Sequence, residues 1–326
     1  MSIFGSEKII KSYSSIDKKL NISYAGFDLG EFRYEELVRQ IQKAIVDFAY
    51  GFHEGILEEN YNIDILRESA KSFYKIKEFN VVKKIYLDDD SEIDDEIEDK
   101  FLRRGEFGEL ILHLLLRDFH DSLPLLSKIY FKDSDGHAVH GFDSIHIAPD
   151  IHNPEQFSFW FGESKLYNNG KNGIKALVKD IEEHFNKDYL RREFALLSKK
   201  KEGYISLDKF NNPSKKQKYE GFLNLKDEWY EKLDSANKLE DILRSVTIPM
   251  LCTYSSETFN KHNNETTQEF LDDLKSEIQI IKKYFDDNLK VPINTSLNII
   301  LFLFPVPSKK ELVKLLHTKL SHMQAM

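Results

Sequence analysis

The segment Gln156–Lys165 (QFSFWFGESK) constrains the fold more than any other stretch of this sequence. Successive side chains of a β-strand point to opposite faces, so the three phenylalanines of the segment share one face with Glu163 and Lys165. The apolar start predicts a buried strand, and long charged side chains are rarely buried without a partner or a function. An exposed salt bridge at a strand end is the ordinary alternative for this acid–lysine pair, but the preceding FSFWF favours burial.

A second apolar alternation, His137–Ala148 (HAVHGFDSIHIA), contains Asp143. On a strand, Asp143 shares a face with Ile145 and Ile147. An aspartate that belongs to a turn is the alternative. We predict that this strand and the one that carries Glu163 bring their acids to the same side of one sheet.

A helix that is apolar around most of its circumference precedes these strands, at Gly105–Asp118 (GEFGELILHLLLRD). Such a helix is expected to be buried, yet this one carries Glu106 and Glu109. Glu106 lies at the helix start, where the helix dipole stabilises an acid. This effect alone explains a glutamate there, without any functional role. Glu109 lies deeper, where an unpaired charge is costly unless something binds it, so Glu109 is the stronger candidate for a functional acid.

These elements predict an α/β protein with a mixed central sheet flanked by helices. Their order is helix, three strands, helix and strand (αβββαβ): Gly105–Asp118, Ser127–Lys132, His137–Ala148, Gln156–Lys165, Asn172–Phe185 and Val246–Tyr254. Pro249 lies inside the last strand and has no N–H to donate, which predicts an edge strand or a bulge there.

The remaining chain divides into an N-terminal region and additions to the main domain. Hydrophobic periodicity predicts three more helices and one more strand: Phe32–Phe52, Thr266–Asn288, Lys309–Leu320 and, as the strand, Leu297–Phe304. We expect residues 1–100 to form a mixed α/β elaboration that ends in an acidic segment, and residues 101–326 to form the main domain. Residues 187–233 are polar, rich in lysine and interrupted by Pro213, so we expect an irregular insertion with some helix.

The net charge of −9 does not exclude a nucleic-acid partner, because the charge is unevenly placed. Residues 88–99 (DDDSEIDDEIED) carry nine acids and no base, so the rest of the chain sums to about zero. The placement of charge, more than its total, decides whether a surface attracts phosphates. A solvated linker is the ordinary interpretation of this acidic run, and a segment that mimics DNA is the alternative.

The sequence predicts a cytoplasmic protein with no membrane partner. Cys252 is the only cysteine, so no disulfide can form within the chain. No apolar stretch approaches the about 18–20 residues that span a bilayer. The N-terminus lacks the apolar core of a signal peptide.

Two carboxylates and a lysine on one side of a sheet are the parts that phosphodiester hydrolysis needs. Asp143 and Glu163 could hold Mg²⁺, a hard cation that prefers oxygen ligands, and Mn²⁺ is a possible substitute. The backbone carbonyl of Ser164 is available as a further ligand. The metal would polarise the phosphoryl group and activate a water. Lys165 would orient that water and offset the charge that develops in the transition state.

A zinc site is the alternative metal chemistry, because three histidines surround Asp143 in the sequence: His137, His140 and His146. On an ideal strand, however, His140 and His146 face away from Asp143.

The motifs GEFGE, HGFD and GESK, in this spacing and on this order of elements, resemble the PD-(D/E)xK nuclease superfamily. That likeness covers about residues 101–254. Most of the chain also resembles a narrower family, HamA, the nuclease subunit of the Hachiman anti-phage defence system, which is encoded beside a helicase.

The resemblance implies a role for each candidate residue. Asp143 matches the first metal-binding acid, Glu163 the second and Lys165 the lysine of the superfamily motif. Glu109 matches the acid that many members place on the first helix, where it assists the metal directly or through water. The first acid here follows Gly-Phe, whereas the superfamily name has proline at that place.

The implied activity is metal-dependent DNA endonuclease cleavage by a defence effector under the control of a helicase partner. Two alternatives remain open. One is a stand-alone restriction or repair nuclease of the same fold, and the other is a non-catalytic adaptor of the helicase.

Overall fold

A computed structural model describes most of the chain. The described residues are 5–13, 17–51, 63–73, 105–125, 142–150, 153, 155–185, 188, 190–191, 207, 212–235, 239–243, 245–291 and 297–326. Four features named above lie wholly or largely outside them: the strand at 127–132, the acidic run 88–99, His137 and His140.

A seven-stranded mixed sheet forms the centre of the structure, in the order β1-β2-β9-β8-β7-β6-β5. Its strands are β1 (Ile10–Tyr13), β2 (Leu20–Ala25), β5 (Leu123–Pro124), β6 (Ser144–Pro149), β7 (Phe157–Tyr167), β8 (Val246–Ser255) and β9 (Asn298–Val306). The four strands β2, β9, β8 and β7 run parallel, whereas β1, β6 and β5 pair antiparallel to their neighbours. A short hairpin, β3 (Phe27–Asp28) and β4 (Glu31–Phe32), stands apart from this sheet.

Helices cover both faces of the sheet, which confirms the predicted α/β class. They are α1 (Tyr34–Lys43), α2 (Ile45–Tyr50), α3 (Ile63–Phe73), α4 (Glu106–Phe119), α5 (Gly170–His184), α6 (Pro213–Ser235), α7 (Leu239–Leu243), α8 (Glu257–Lys261), α9 (Gln268–Asn288) and α10 (Lys309–Ala325). Helices α5 and α9 share one apolar core with the odd-numbered residues of β7. Helices α1 to α4 and α10 pack in the second core, on the opposite face.

The alternation of β7 is as the sequence predicts, and it separates the two cores. Phe159 and Phe161 lie in the α5 core, whereas Trp160 lies in the α4 core. Strand β7 is followed by α5 and, after α6 and α7, by the parallel strand β8, and α5 packs on both strands. The crossover therefore places α5 directly over the face that carries Glu163 and Lys165.

Two prolines behave differently from the prediction. β8 pairs with both β7 and β9, so the expectation that Pro249 marks an edge strand is wrong. Pairing with β7 passes from Trp160–Thr247 to Glu163–Met250, and Pro249 falls in the gap between these pairs, where its missing N–H is tolerated.

Pro213 begins helix α6 instead of interrupting the chain. Proline suits the first position of a helix because that position needs no N–H donor. Residues 213–235 therefore form one helix of 23 residues, which is the helical part expected within the 187–233 segment.

The N-terminal region contributes to the central sheet through β1 and β2. β2 pairs in parallel with β9, and β1 pairs with β2 at the sheet edge. The predicted helix at 32–52 is present but divided at Ala44 into α1 and α2. The predicted division of domains at residue 100 falls among residues that the structure does not describe and stays a prediction. Within the described part, each helix is too short or too polar to cross a membrane.

Glycines bring a helix close to strands β7 and β8 on each face of the sheet. A Cβ added to Gly173 of α5 would lie 2.5 Å from the Sγ of Cys252, which is the partner of Lys165 in the sheet. A Cβ added to Gly108 of α4 would lie 3.1 Å from the Oγ of Ser164. The close packing of both helices against the sheet therefore depends on residues without a side chain.

We predict that Gly173→Ala lowers the free energy of unfolding by about 1–3 kcal/mol, because the new methyl group overpacks the contact with β8. Gly221→Ala is the matched control, since this helical glycine has no atom within 4 Å of an added Cβ. The control should gain about 0.5–1 kcal/mol from helix propensity alone. Chemical denaturation measures the free energy of unfolding of both variants. Equal effects of the two substitutions would contradict the close packing of α5 on β8.

Candidate active site

Strand β7 presents Glu163 and Lys165 to the space beneath α5. Glu163 is only 2% exposed and pairs in the sheet with Met250. The side chain of Lys165 is 23% exposed. The predicted burial of the acid–lysine pair is therefore confirmed for Glu163 and largely so for Lys165, which keeps a narrow access to solvent.

Asp143 lies one residue before β6 and is hydrogen-bonded to the middle of β7. Its N–H donates to the carbonyl of Gly162 over 2.9 Å. Its carboxylate oxygen Oδ2 accepts two hydrogen bonds from Ser164, from the backbone N–H at 2.7 Å and from the hydroxyl at 2.9 Å. These contacts fix Asp143 beside the residue that separates Glu163 from Lys165. That Asp143 and Glu163 turn their carboxylates to the same side of the sheet stays a prediction.

The pKa of Glu163 reflects the negative charge that gathers around it. Burial raises the pKa of the Glu163 carboxyl well above its ordinary value. The charge of Asp143 raises this pKa further, and the charge of Lys165 opposes the rise. Asp180 and Glu109 add smaller increases. The carboxylates therefore outnumber the ammonium group that faces them, which is the electrostatic setting that a bound cation would relieve.

Lys165 is held as a cation by the same acids. Burial acts to lower the pKa of its ammonium group, but the charges of Asp143, Glu163 and Asp180 outweigh burial and raise the pKa above its ordinary value. An ion pair joins Lys165 Nζ to Asp180 Oδ2. The site thus contains a permanently charged donor among buried carboxylates.

Glu109 approaches the site from the other face of the sheet. It is buried on α4, one residue after Gly108, which contacts Ser164. Among the named charges that act on Glu163, that of Glu109 is the smallest. Its role as a supporting acid stays a prediction. Glu106, its competitor, lies one turn earlier at the start of α4.

Two residues of α5, Asp180 and His184, belong to the site although sequence reasoning missed them. Asp180 pairs with Lys165, and His184 Nδ1 lies 3.2 Å from Glu163 Oε1. They are four residues apart, so they share one face of the helix. A signal was present in the sequence, because both positions border the apolar stripe through Leu177 and Ile181 and therefore lean toward the sheet.

The histidine alternative can be tested only at His146. Its Nε2 lies 3.1 Å from His113 Nδ1, and its Nδ1 lies 2.8 Å from Ser122 Oγ. Burial lowers the pKa of His146 to about 3. It faces α4, away from Glu163, as its place in the strand predicted. His137 and His140 lie outside the described residues.

A cation could be held at this site by Asp143 and Glu163. Within the part of the chain that the structure describes, no three His, Cys, Asp or Glu side chains are grouped closely enough to ligate a metal. Two carboxylates nevertheless fit Mg²⁺, which commonly takes one or two from a protein and retains several waters. The N–H of Ser164 points toward Asp143, and the carbonyl of the same residue points to the same side of the strand, so it could complete the set.

Comparison with known proteins gives one match and one negative result. The model of the family described as HamA matches residues 3–320, which is nearly the whole chain. A search of curated proteins found no match.

We predict that Glu163→Gln, measured with EDTA present, is more stable than the unmodified protein at pH 8. The raised pKa of Glu163 means that the stability from its protonated form is present below the ordinary carboxyl pKa and is lost as pH rises through the raised value. Glutamine stays neutral, so the difference in Tm should grow as the pH rises above the ordinary carboxyl pKa and should level off above the raised pKa. Glu183→Gln, on the solvent side of α5, is the control for the chemical change. A variant that is less stable at every pH would contradict the prediction.

Proposed function

This chain belongs to the HamA family, and from that premise we propose that it hydrolyses DNA phosphodiester bonds with Mg²⁺, or with Mn²⁺ in its place, as the effector of a Hachiman-type anti-phage defence system. The observation that carries the proposal is the burial of Glu163 beside Asp143 and Lys165 on adjoining strands. Burying such a charge cluster is costly unless it serves a purpose. A cation that binds between the acids offsets this cost.

The order of elements supports a PD-(D/E)xK core for this proposal. Helix α4 precedes the antiparallel strands β6 and β7, and α5 begins the connection from β7 to the parallel strand β8, which also contains α6 and α7. The site lies where β6 begins and β7 continues beyond it. The proposed third strand, 127–132, lies outside the described residues.

Each residue has a proposed role that follows from its place. Asp143 and Glu163 bind the cation, with the carbonyl of Ser164 as a further ligand, and Glu109 supports them from the α4 side through water. When bound, the cation supplies Lewis-acid polarisation of the phosphoryl group and lowers the pKa of a coordinated water. Lys165 donates to the attacking water and offsets negative charge in the transition state.

The hydrogen bonds of Ser164 organise this arrangement before substrate binds. Both donors of Ser164 bond to one oxygen of Asp143, Oδ2, which fixes the orientation of the carboxylate. Because a carboxylate oxygen has more than one acceptor site and the second oxygen is not needed for these bonds, Asp143 retains capacity for a cation. The orientation is therefore set without blocking the proposed ligand.

We predict that the unmodified protein cleaves DNA with Mg²⁺ and not with EDTA. Lys165→Met should lower the cleavage rate by about 100–1,000-fold, because it removes a donor to the transition state while retaining the length of the side chain. Lys179→Met is the matched control, since Lys179 has a side chain 70% exposed on the outer side of α5. Full activity of Lys165→Met would leave a non-catalytic adaptor as the better account.

Cation binding can be measured without catalysis. Mg²⁺ or Mn²⁺ should raise the Tm of the unmodified protein, because a ligand that binds only the folded state stabilises it. Glu163→Gln and Asp143→Asn should lose this increase, whereas Glu183→Gln should keep it. An increase of equal size in all four proteins would place the cation elsewhere.

A nuclease that shares a cell with a genome needs restraint, so we propose that a helicase subunit of the same system controls cleavage. The isolated subunit and the complex should then differ in the rate at which they degrade DNA, and a stimulus acting on the helicase should release the complex. Equal rates in both, with no stimulus, would contradict restraint and favour a stand-alone nuclease.

A further inference from the structure

The ion pair between Lys165 and Asp180 joins the catalytic strand to the helix above it. Both side chains are largely shielded from solvent, with Lys165 23% and Asp180 16% exposed. An ion pair on an open surface contributes little to stability, because water and salt screen it. This pair lies in a confined space with other carboxylates, so its geometry determines the direction of the Lys165 ammonium group.

Lysine needs such a partner if it is to act at a fixed position. Its ammonium group sits at the end of four methylene groups and can adopt many rotamers, whereas the proposed water has one productive position. β7 fixes only the backbone of Lys165. Asp180 supplies a second point of attachment from α5.

Helix α5 is itself held at a fixed distance from strands β7 and β8. Gly173 contacts Cys252, which is the neighbour of Lys165 across β7 and β8. Cys252 is fully buried, and Gly170 makes a second close approach to Tyr254 on the same strand. The position of Asp180 is therefore set by packing that does not involve the charged residues.

Asp180 could instead act as a latch that draws Lys165 away from the other acids. The geometry argues against a latch. Glu163 and Lys165 are two residues apart on one face of β7, so the ammonium group stays near Glu163 while it is paired with Asp180. Asp143, Glu163 and Asp180 all act to raise the pKa of Lys165 in this paired arrangement.

We infer that Asp180 is a positioning residue that holds the ammonium group of Lys165 beside Asp143 and Glu163, in the place where it meets the attacking water. The inference rests on the proposed nuclease function. Asp180 itself touches neither the substrate nor the cation. Its effect reaches the reaction only through Lys165.

Substitution of Asp180→Asn in the full chain, assayed alone and with its helicase partner, tests this role. Neutral asparagine weakens the hold on Lys165 while preserving size, so kcat should fall by about 10–100-fold with KM unchanged. The increase in Tm with Mn²⁺ should persist, because Asp180 is not a ligand. Asp180→Glu, which keeps the charge, should recover part of kcat. Glu183→Gln, three residues further along α5 and paired with the exposed Lys179, is the matched control.

A second readout needs no catalysis. The Lys165 amine should react faster with an amine-labelling reagent in Asp180→Asn than in the unmodified protein, as followed by mass spectrometry, and Glu183→Gln should not change its rate. In the double variant with Lys165→Met, Asp180→Asn should cause no further loss of cleavage, because its effect passes through the lysine.

Several results would overturn the inference. Unchanged kcat in Asp180→Asn would show that β7 alone positions Lys165, and increased kcat would show a latch. Loss of the Tm increase with Mn²⁺ would make Asp180 a metal ligand. If the unmodified protein does not cleave DNA, the proposed function fails, whereas normal cleavage with an unaltered Lys165 labelling rate in Asp180→Asn removes only the positioning role.

Discussion

The structure depends on the burial of carboxylates beside one lysine on a strand that helices cover on both faces. Burial and the nearby charge of Asp143 raise the pKa of Glu163, so the folded protein contains a site that resists full ionisation without a cation. Natural proteins tolerate such an arrangement chiefly at functional sites, where stability is lost in exchange for chemistry. The acids at the site therefore indicate function more strongly than its place in an α/β fold does.

The two helices have different roles at this strand. Helix α4 contacts Ser164 through Gly108, and Ser164 in turn donates hydrogen bonds to Asp143. Helix α5 covers the opposite side and brings Asp180 and His184 to the charged pair. Membership of the HamA family connects the chain to Hachiman defence, whereas the proposed hydrolysis is argued from the contacts of the site itself.

The sequence was sufficient to predict the elements whose side chains alternate or repeat regularly. Period-two alternation placed Glu163 with the phenylalanines of β7, and the all-round apolar character of α4 predicted its burial. Contacts between distant elements could not be predicted from periodicity. In the sequence, Asp180 is one of several polar residues of α5, and only the packing of α5 on β7 brings it to Lys165. Pro249 misled because proline is tolerated in a gap of strand pairing, and the position of such a gap is set by tertiary structure.

The central claim is that Asp143 and Glu163 converge on one divalent cation, with Lys165 alongside. The anomalous scattering of Mn²⁺ in crystals of the unmodified protein tests it most directly. The account predicts a single strong peak within about 2.5 Å of a carboxylate oxygen from each acid. A peak bound elsewhere, or carboxylates directed apart with the Lys165 ammonium in open solvent, would contradict it.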